Sequence, residues 1–208
     1  MYTHFASAKD SNDRVFTRSQ IAEFDTWRAV FFKKGFSPLT HAGATGGASY
    51  FPEAHFDMVR IGAGLYGFWN TLKEVPLKPV LSWKTIISEV KEIPAGSGIG
   101  YDLTHTTKQV TRIAVCPVGY WHGYPRQLSN KADVLVRGKR AKVLGRVSMD
   151  MIVIDVTNIL RVKIGDEVVL IGRSGKEEIT ASELAQHADT SAYEILTRLN
   201  PLMKRIYL

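Results

Sequence analysis

The sequence predicts an α/β segment over residues 1–77, part of a parallel sheet or (β/α) barrel, followed by a β-rich antiparallel barrel or sandwich over residues 78–208. Three observations predict it. Strand-like, helical and Gly-rich segments alternate as far as Gly67, the pattern of a parallel sheet or barrel. Beyond Pro76 and Pro79 the style changes to many short β-type runs. Turn signals separate those runs at short intervals, as in antiparallel sheets.

Tyr2–Phe5 reads as a short strand. Thr17 with Gln20 reads as a capping box opening a helix, with Ile21, Phe24, Trp27 and Phe31 at helical spacing. Lys33 and Lys34 fall in its last turn and Gly35 just past it. Pro38 precedes a strand over Leu39–His41, and the small residues of Ala42–Ser49 read as a loop that lets backbone approach a ligand. A strand over Asp57–Ile61 runs into Gly62-Ala63-Gly64. In the second part the β-type runs are Leu81–Val90, Arg112–Val118, Asp133–Val136, Ala141–Val147, Ile152–Val156 and Glu167–Ile171, with a hairpin turn at Gly138-Lys139. Thr180 with Glu183 and Ser191 with Glu194 cap two short helices. Pro201 limits the second, and Leu202–Tyr207 is expected to return as a last strand.

Composition narrows the function. Hydrophobic residues make up 45% of the 208 and charged residues 23%, which argues against disorder. No apolar run approaches the ~18 residues that a membrane helix needs, so no membrane partner is expected. The first residues, Met-Tyr-Thr-His-Phe-Ala, lack the basic and apolar regions of a signal peptide. One cysteine, Cys116, excludes an internal disulfide framework and a multi-thiolate zinc site; no metal is expected, and the cytoplasm is the expected compartment. The net charge of +7 fits an anionic partner or plain solubility.

Four segments carry the chemistry. Arg60-Ile-Gly-Ala-Gly-Leu-Tyr-Gly67 places a cation and Gly-rich backbone at a strand end, suited to an anion or simply to a turn. Gly100-Tyr101-Asp102 sets a tyrosine in a loop. Gly119-Tyr-Trp-His-Gly-Tyr-Pro-Arg126 is a recognition surface or a packed aromatic loop. Gly145-Arg-Val-Ser-Met-Asp-Met151 sits where a strand meets a turn.

In this order these pieces resemble the alanine racemase family. The resemblance runs from Tyr2 to about Tyr207 and includes Thr3-His-Phe-Ala, His41-Ala-Gly-Ala-Thr45, Phe51-Pro-Glu-Ala-His-Phe-Asp-Met-Val-Arg60, Leu65-Tyr-Gly67, Gly100-Tyr101, Val118-Gly-Tyr120, Gly145-Arg-Val-Ser-Met-Asp150 and Ile179-Thr-Ala-Ser-Glu-Leu-Ala185. Tyr101 and Tyr120 keep the family's 19-residue interval. The resemblance implies a pyridoxal 5'-phosphate (PLP) site in a TIM-like (β/α)8 barrel, a β-rich C-terminal domain, and interconversion of L- and D-alanine for the bacterial wall. It also implies a small-molecule amino acid as substrate and a homodimer whose active site is shared between subunits.

Residue by residue, the resemblance makes Tyr101 the second catalytic base, opposite a lysine on the other face of Cα. Arg60 becomes the partner of the PLP ring nitrogen. Thr45, Gly62 and Ala63 fall where the family binds the phosphate, and His4 and His41 lie near the cofactor. Met149 and Asp150 match the substrate-carboxylate contact and its neighbour, and Tyr120 a tyrosine at the entrance. No lysine here matches the one that anchors PLP covalently, and the barrel arginine that helps hold the substrate carboxylate has no counterpart either. A complete barrel needs about 200 residues, so the chain is expected to be the C-terminal part of something longer and to be inactive alone.

Some positions depart from the family. His105 stands where a second tyrosine is usual, His122 where an acid is usual, Ala44 where an asparagine is usual, and Pro201 where many members have a phosphate-binding tyrosine. The altered entrance leaves serine racemisation as an alternative, and a catalytically inactive remnant as another. A different class also fits: a β-barrel nucleic-acid binder using Arg137, Lys139, Arg140, Lys142 and Arg146 with Tyr120, Trp121 and Tyr124. The racemase reading, without a nucleic-acid partner, is preferred because hairpin tips are ordinary places for solvated cations.

Overall fold

The computed structural model describes residues 1–9, 14–68 and 77–208. Pro76, one of the two boundary prolines, lies outside them. The chain divides into two compact units, Met1–Val80 and Leu81–Leu208.

The first unit is α/β. Its long helix α1 spans Arg14–Lys33. Strand β1 covers His41–Ala44, helix α2 Thr45–Tyr50 and strand β2 Met58–Arg60. The two strands pair in parallel, and Tyr2 makes one further parallel bridge to His41. Only that bridge remains of the strand expected over Tyr2–Phe5. Ile21 and Phe24 on α1 pack with Phe5, Ala42, Phe51 and Ala54 into one core. Burying the larger of these, Ile21 and the phenylalanines, contributes roughly 1.5–3 kcal/mol each.

The strand expected over Leu39–His41 begins only at His41, and two further local expectations in this unit fail. Thr17 does not cap α1: it lies inside the helix with its side chain buried, while Gln20 accepts the Ala6 N–H at 3.1 Å. An N-cap must stand outside the helical turn with its oxygen free for the next amides. Nor is Ala42–Ser49 a loop, since it supplies β1 and α2. Its small residues serve packing, with Gly47 seated against the ring of Phe5.

The second unit is mostly antiparallel sheet. Strands β3 (Trp83–Ile86) and β4 (Glu89–Ile93) divide the run expected as one, and a short ribbon follows from β5 (Gly98–Ile99) and β6 (His105–Thr106). Then come β7 (Thr111–Cys116), β8 (Asp133–Val136), β9 (Lys139–Leu144), β10 (Ile152–Asp155), β11 (Glu167–Ser174) and β12 (Glu177–Ile179). Apart from the ribbon they form one sheet in the order β12-β11-β8-β9-β10-β7-β4, with β3 also paired to β11. Along Ile152–Asp155 buried and half-buried residues alternate, the period of a strand with one face on the core.

The β8–β9 hairpin turns at Arg137-Gly138, one residue earlier than expected, because both residues have positive φ (51° and 74°), as a tight hairpin requires. Helices α3 (Ala181–Ala188) and α4 (Ala192–Thr197) begin where expected. Thr180 accepts the Glu183 N–H at 3.1 Å and Ser191 the Glu194 N–H at 3.4 Å. Leu202–Tyr207 forms no strand: the chain turns after Asn200 and leaves Leu202, Ile206 and Tyr207 exposed.

Candidate active site

The sequence-derived residues fall into two clusters, one in each unit. In the first, Arg60 closes β2 and aims its guanidinium at β1 and the N-terminal segment. Nη1 donates to His41 Nδ1. Nη2 donates to the carbonyls of Ala42 (2.9 Å) and Thr3 (3.0 Å) and to His4 Nδ1 (3.1 Å). A guanidinium carries five N–H donors in a fixed fork, so these contacts fix its plane and leave donors over. Tyr2, which sequence reasoning passed over, stacks on His41 at 5.2 Å and lies 5.7 Å from the Arg60 guanidinium carbon. Its one signal in the sequence is an aromatic ring beside His4.

Accepting from an arginine fixes the tautomer of His41: Nδ1 is bare and a neutral ring carries its proton on Nε2. Burial, the Arg60 charge and the chain's amino terminus together hold its pKa below the usual histidine range. Thr45 is buried nearby in sequence and fold. Its Oγ1 accepts the N–H groups of Gly62 (3.2 Å) and Gly64 (3.3 Å), tying the start of α2 to the turn after β2. The Gly62 amide, expected to bind phosphate directly, is thus already bonded to the threonine. That threonine keeps its own hydroxyl proton to donate, the space beside Gly62 is open, and Ala63 is buried.

The second cluster is built from three loops. The tip of the β5–β6 ribbon, Gly100–Thr104, carries Tyr101, which is 69% exposed. Gly100 and Gly145 both have positive φ (74° and 73°), and their backbones meet: a Cβ on Gly100 would lie 2.8 Å from the Arg146 nitrogen, and one on Gly145 2.6 Å from the Ile99 oxygen. Arg146 Nε sits 2.7 Å from Asp102 Oδ2 across the same contact. The loop after Gly119 is zipped to the turn after Val147, with Tyr120 N–H donating to the Ser148 carbonyl (3.0 Å) and Trp121 N–H to that of Met149 (2.9 Å). Tyr120, Met149 and Asp150 therefore share one exposed edge, and Tyr101 stands on the neighbouring loop.

Sequence reasoning missed the residues that hold these loops. Ser129 Oγ accepts the Val147 N–H (2.9 Å) and Asn130 Oδ1 that of Gly145 (2.7 Å). Asn200 Nδ2 donates to the Trp121 carbonyl (2.9 Å), one residue ahead of Pro201. Adjacent Ser and Asn after a Pro-containing turn are the available signal, since both side chains readily bond loop backbone. His122 has a local structural use, accepting the Gly119 N–H at 3.2 Å.

The nucleic-acid alternative keeps Lys139, Lys142, Tyr120 and Trp121 exposed, but its arginines and its third ring are committed within the chain. Arg137 pairs with Asp166, Arg146 with Asp102, and Arg140 with Asp133, Glu177 and Glu183. Tyr124 is fully buried beside Trp83 rather than offered for stacking. Among the described residues no helix is long and apolar enough to cross a membrane.

Comparison with known proteins gives both units one family context. The family model for the alanine racemase C-terminal domain matches residues 80–207, and that for the alanine racemase N-terminal domain residues 1–69. The alanine racemase of Symbiobacterium thermophilum is 44% identical over 211 residues, covering 100% of this chain and 56% of its own. A Bartonella henselae alanine racemase structure with covalently bound pyridoxal phosphate superposes with TM-score 0.90 at 30% identity, over 100% of this chain and 56% of that one. One from Bacillus anthracis with bound L-Ala-P gives TM-score 0.85 at 34% identity, over 96% and 52%. The chain spans about half the length of the curated relatives it matches.

Proposed function

The chain belongs to the alanine racemase family, and from that premise we propose that it supplies part of a PLP-dependent active site for interconverting L- and D-alanine. The observation that carries the reading is the Arg60 cluster, a cation held at a strand end by two imidazoles and two carbonyls with donors to spare. The donor set fits the cofactor. Arg60 offers N–H to a ring nitrogen, and Thr45 offers its hydroxyl to a phosphate beside the open flank of Gly62. PLP, when bound, supplies the electron withdrawal that acidifies the amino acid's Cα–H.

The chain's own residues do the rest. A guanidinium stays protonated at any physiological pH, so Arg60 donates and never accepts. The nitrogen facing it is thereby kept bare, which moderates electron withdrawal and disfavours side reactions. Neutral His41 orients Arg60 without adding charge. Tyr101 takes or returns the Cα proton on one face, and the Met149–Asp150 turn and Tyr120 receive the amino acid. The exposure of all four suits a site completed by a second subunit.

These 208 residues hold no counterpart of the anchoring lysine. The chain alone is therefore expected to bind PLP without a covalent link and to leave alanine unracemised. Incubation with PLP, borohydride reduction and mass spectrometry test the first point, and D-alanine assay the second. A reduced covalent adduct at one lysine, with turnover above that of free PLP, would refute it. Joined to the preceding part of the Symbiobacterium relative, the chain should racemise alanine faster than serine.

A further inference from the structure

One side chain joins the loop carrying Tyr101 to the turn carrying Met149 and Asp150. Asn130 Oδ1 accepts the Gly145 N–H at 2.7 Å, while Nδ2 donates to the Thr104 carbonyl at 3.2 Å and to Thr104 Oγ1 at 3.3 Å. The partners fix which end is which. An N–H can only donate and a carbonyl can only accept, so the amide cannot flip without losing both. Asn130 holds a φ of 60°, a left-handed conformation that asparagine tolerates far better than most residues.

We propose that Asn130 is a positioning residue, a clasp that holds the Tyr101 loop and the Gly145–Asp150 turn at fixed separation so that the base and the substrate contacts act on one Cα. The proposal rests on the racemase reading above. Three features carry it. The clasp bonds one backbone on each side, so it fixes main-chain positions rather than a mobile side chain. It meets the second loop at Gly145, where the two backbones already touch and no slack remains. The other link across the gap, Arg146 to Asp102, joins two longer side chains, with Asp102 65% exposed; such a pair gives way more easily.

The clasp can be cut one half at a time. Asn130→Asp keeps an acceptor for Gly145 and sets a carboxylate against the Thr104 carbonyl. Asn130→Gly suits the same φ and removes both halves. Both are expected to fold. Amide hydrogen exchange is read on the 208-residue chain, and steady-state kinetics on the chain joined to the preceding part of the Symbiobacterium relative. The glycine variant should expose the Gly145 amide; in the aspartate variant Gly145 should stay protected while Leu103, whose N–H closes the tip onto Gly100, exchanges faster. Turnover should fall by about 10- to 100-fold in both, because small misplacements of a reacting group are costly, while KM changes little. The proposal is overturned if the aspartate variant leaves Leu103 exchange unaltered, or if turnover in both variants stays within about threefold of the parent. Should the unsubstituted joined enzyme fail to racemise alanine, the functional reading falls, and the exchange comparison alone decides the clasp.

Discussion

Arg60 commits most of its donors within its own chain, and that sets what neighbouring residues can do. His41 must stay neutral to accept from it, and its pKa lies below 6.5 for reasons of burial and adjacent positive charge. The sign follows from linkage. As pH falls through about 6.5, an unfolded chain takes up a proton that folded His41 refuses, so the first unit loses stability there. Between about pH 7.5 and 5.5, urea midpoints should fall less for His41→Asn than for the parent; equal slopes would show that His41 is not the titrating group. Asp57 acts in a separate window. The Thr40 hydroxyl and N–H bond its carboxylate at 2.6 and 2.7 Å and hold its pKa down, so its contribution is lost only as pH falls below 3.8. Tyr101 offers a test of the proposed mechanism instead. In the joined enzyme Tyr101→Phe should cut turnover by ~10²–10⁴ with PLP still bound. In deuterated water one alanine enantiomer should lose its α-proton far more slowly than the other. Racemisation within a few fold of the parent, with symmetric exchange, would leave Tyr101 a surface aromatic.

Among the elements, helix starts show where local sequence decides and where it does not. Thr180 and Ser191 cap as their spacing predicts, because each stands just outside a short helix with its oxygen free for the third amide on. Thr180→Ala should destabilise the second unit by about 1 kcal/mol, read as a lowered unfolding midpoint; no change would mean that α3 is held by packing alone. Thr17 has the same spacing to Gln20, yet it lies inside α1 and is buried. Hairpins obey the same logic. Alternation in Ile152–Asp155 sets its faces, but the turn at Arg137-Gly138 rather than Gly138-Lys139 follows from which two residues take positive φ, which pattern alone leaves open by one position.

For the whole molecule, the two units differ in how well they bury themselves. The second has a large antiparallel sheet and an apolar interior that includes Val134, Leu135, Ile154 and Leu170, all fully buried. Among the described residues the first has two paired strands, and α1 leaves Val15, Phe16, Trp27, Phe31 and Phe32 exposed. Exposed apolar faces of that kind associate or are covered by a partner. Limited proteolysis should therefore leave a resistant core corresponding to Leu81–Leu208, and that segment expressed alone should unfold cooperatively. A resistant core that begins at Tyr2 would contradict this.

Legible in the chain alone were the order of segments, the change from α/β to antiparallel β style, the two C-terminal helix caps and the family resemblance carried by Tyr101, Tyr120, Arg60 and the Gly145–Asp150 turn. These are local: spacing, alternation and turn chemistry act over a few residues. Folding settled what depends on distant partners. Asn130 reaches Thr104 and Gly145, 26 and 15 positions away. Arg60 reaches Thr3 and His4 across more than fifty. Arg140 turns from a nucleic-acid candidate into the centre of three carboxylates because β12 and α3 bring Glu177 and Glu183 to it. A hydrogen bond requires its two atoms within about 3.5 Å, and only the folded chain brings residues so far apart in sequence that close.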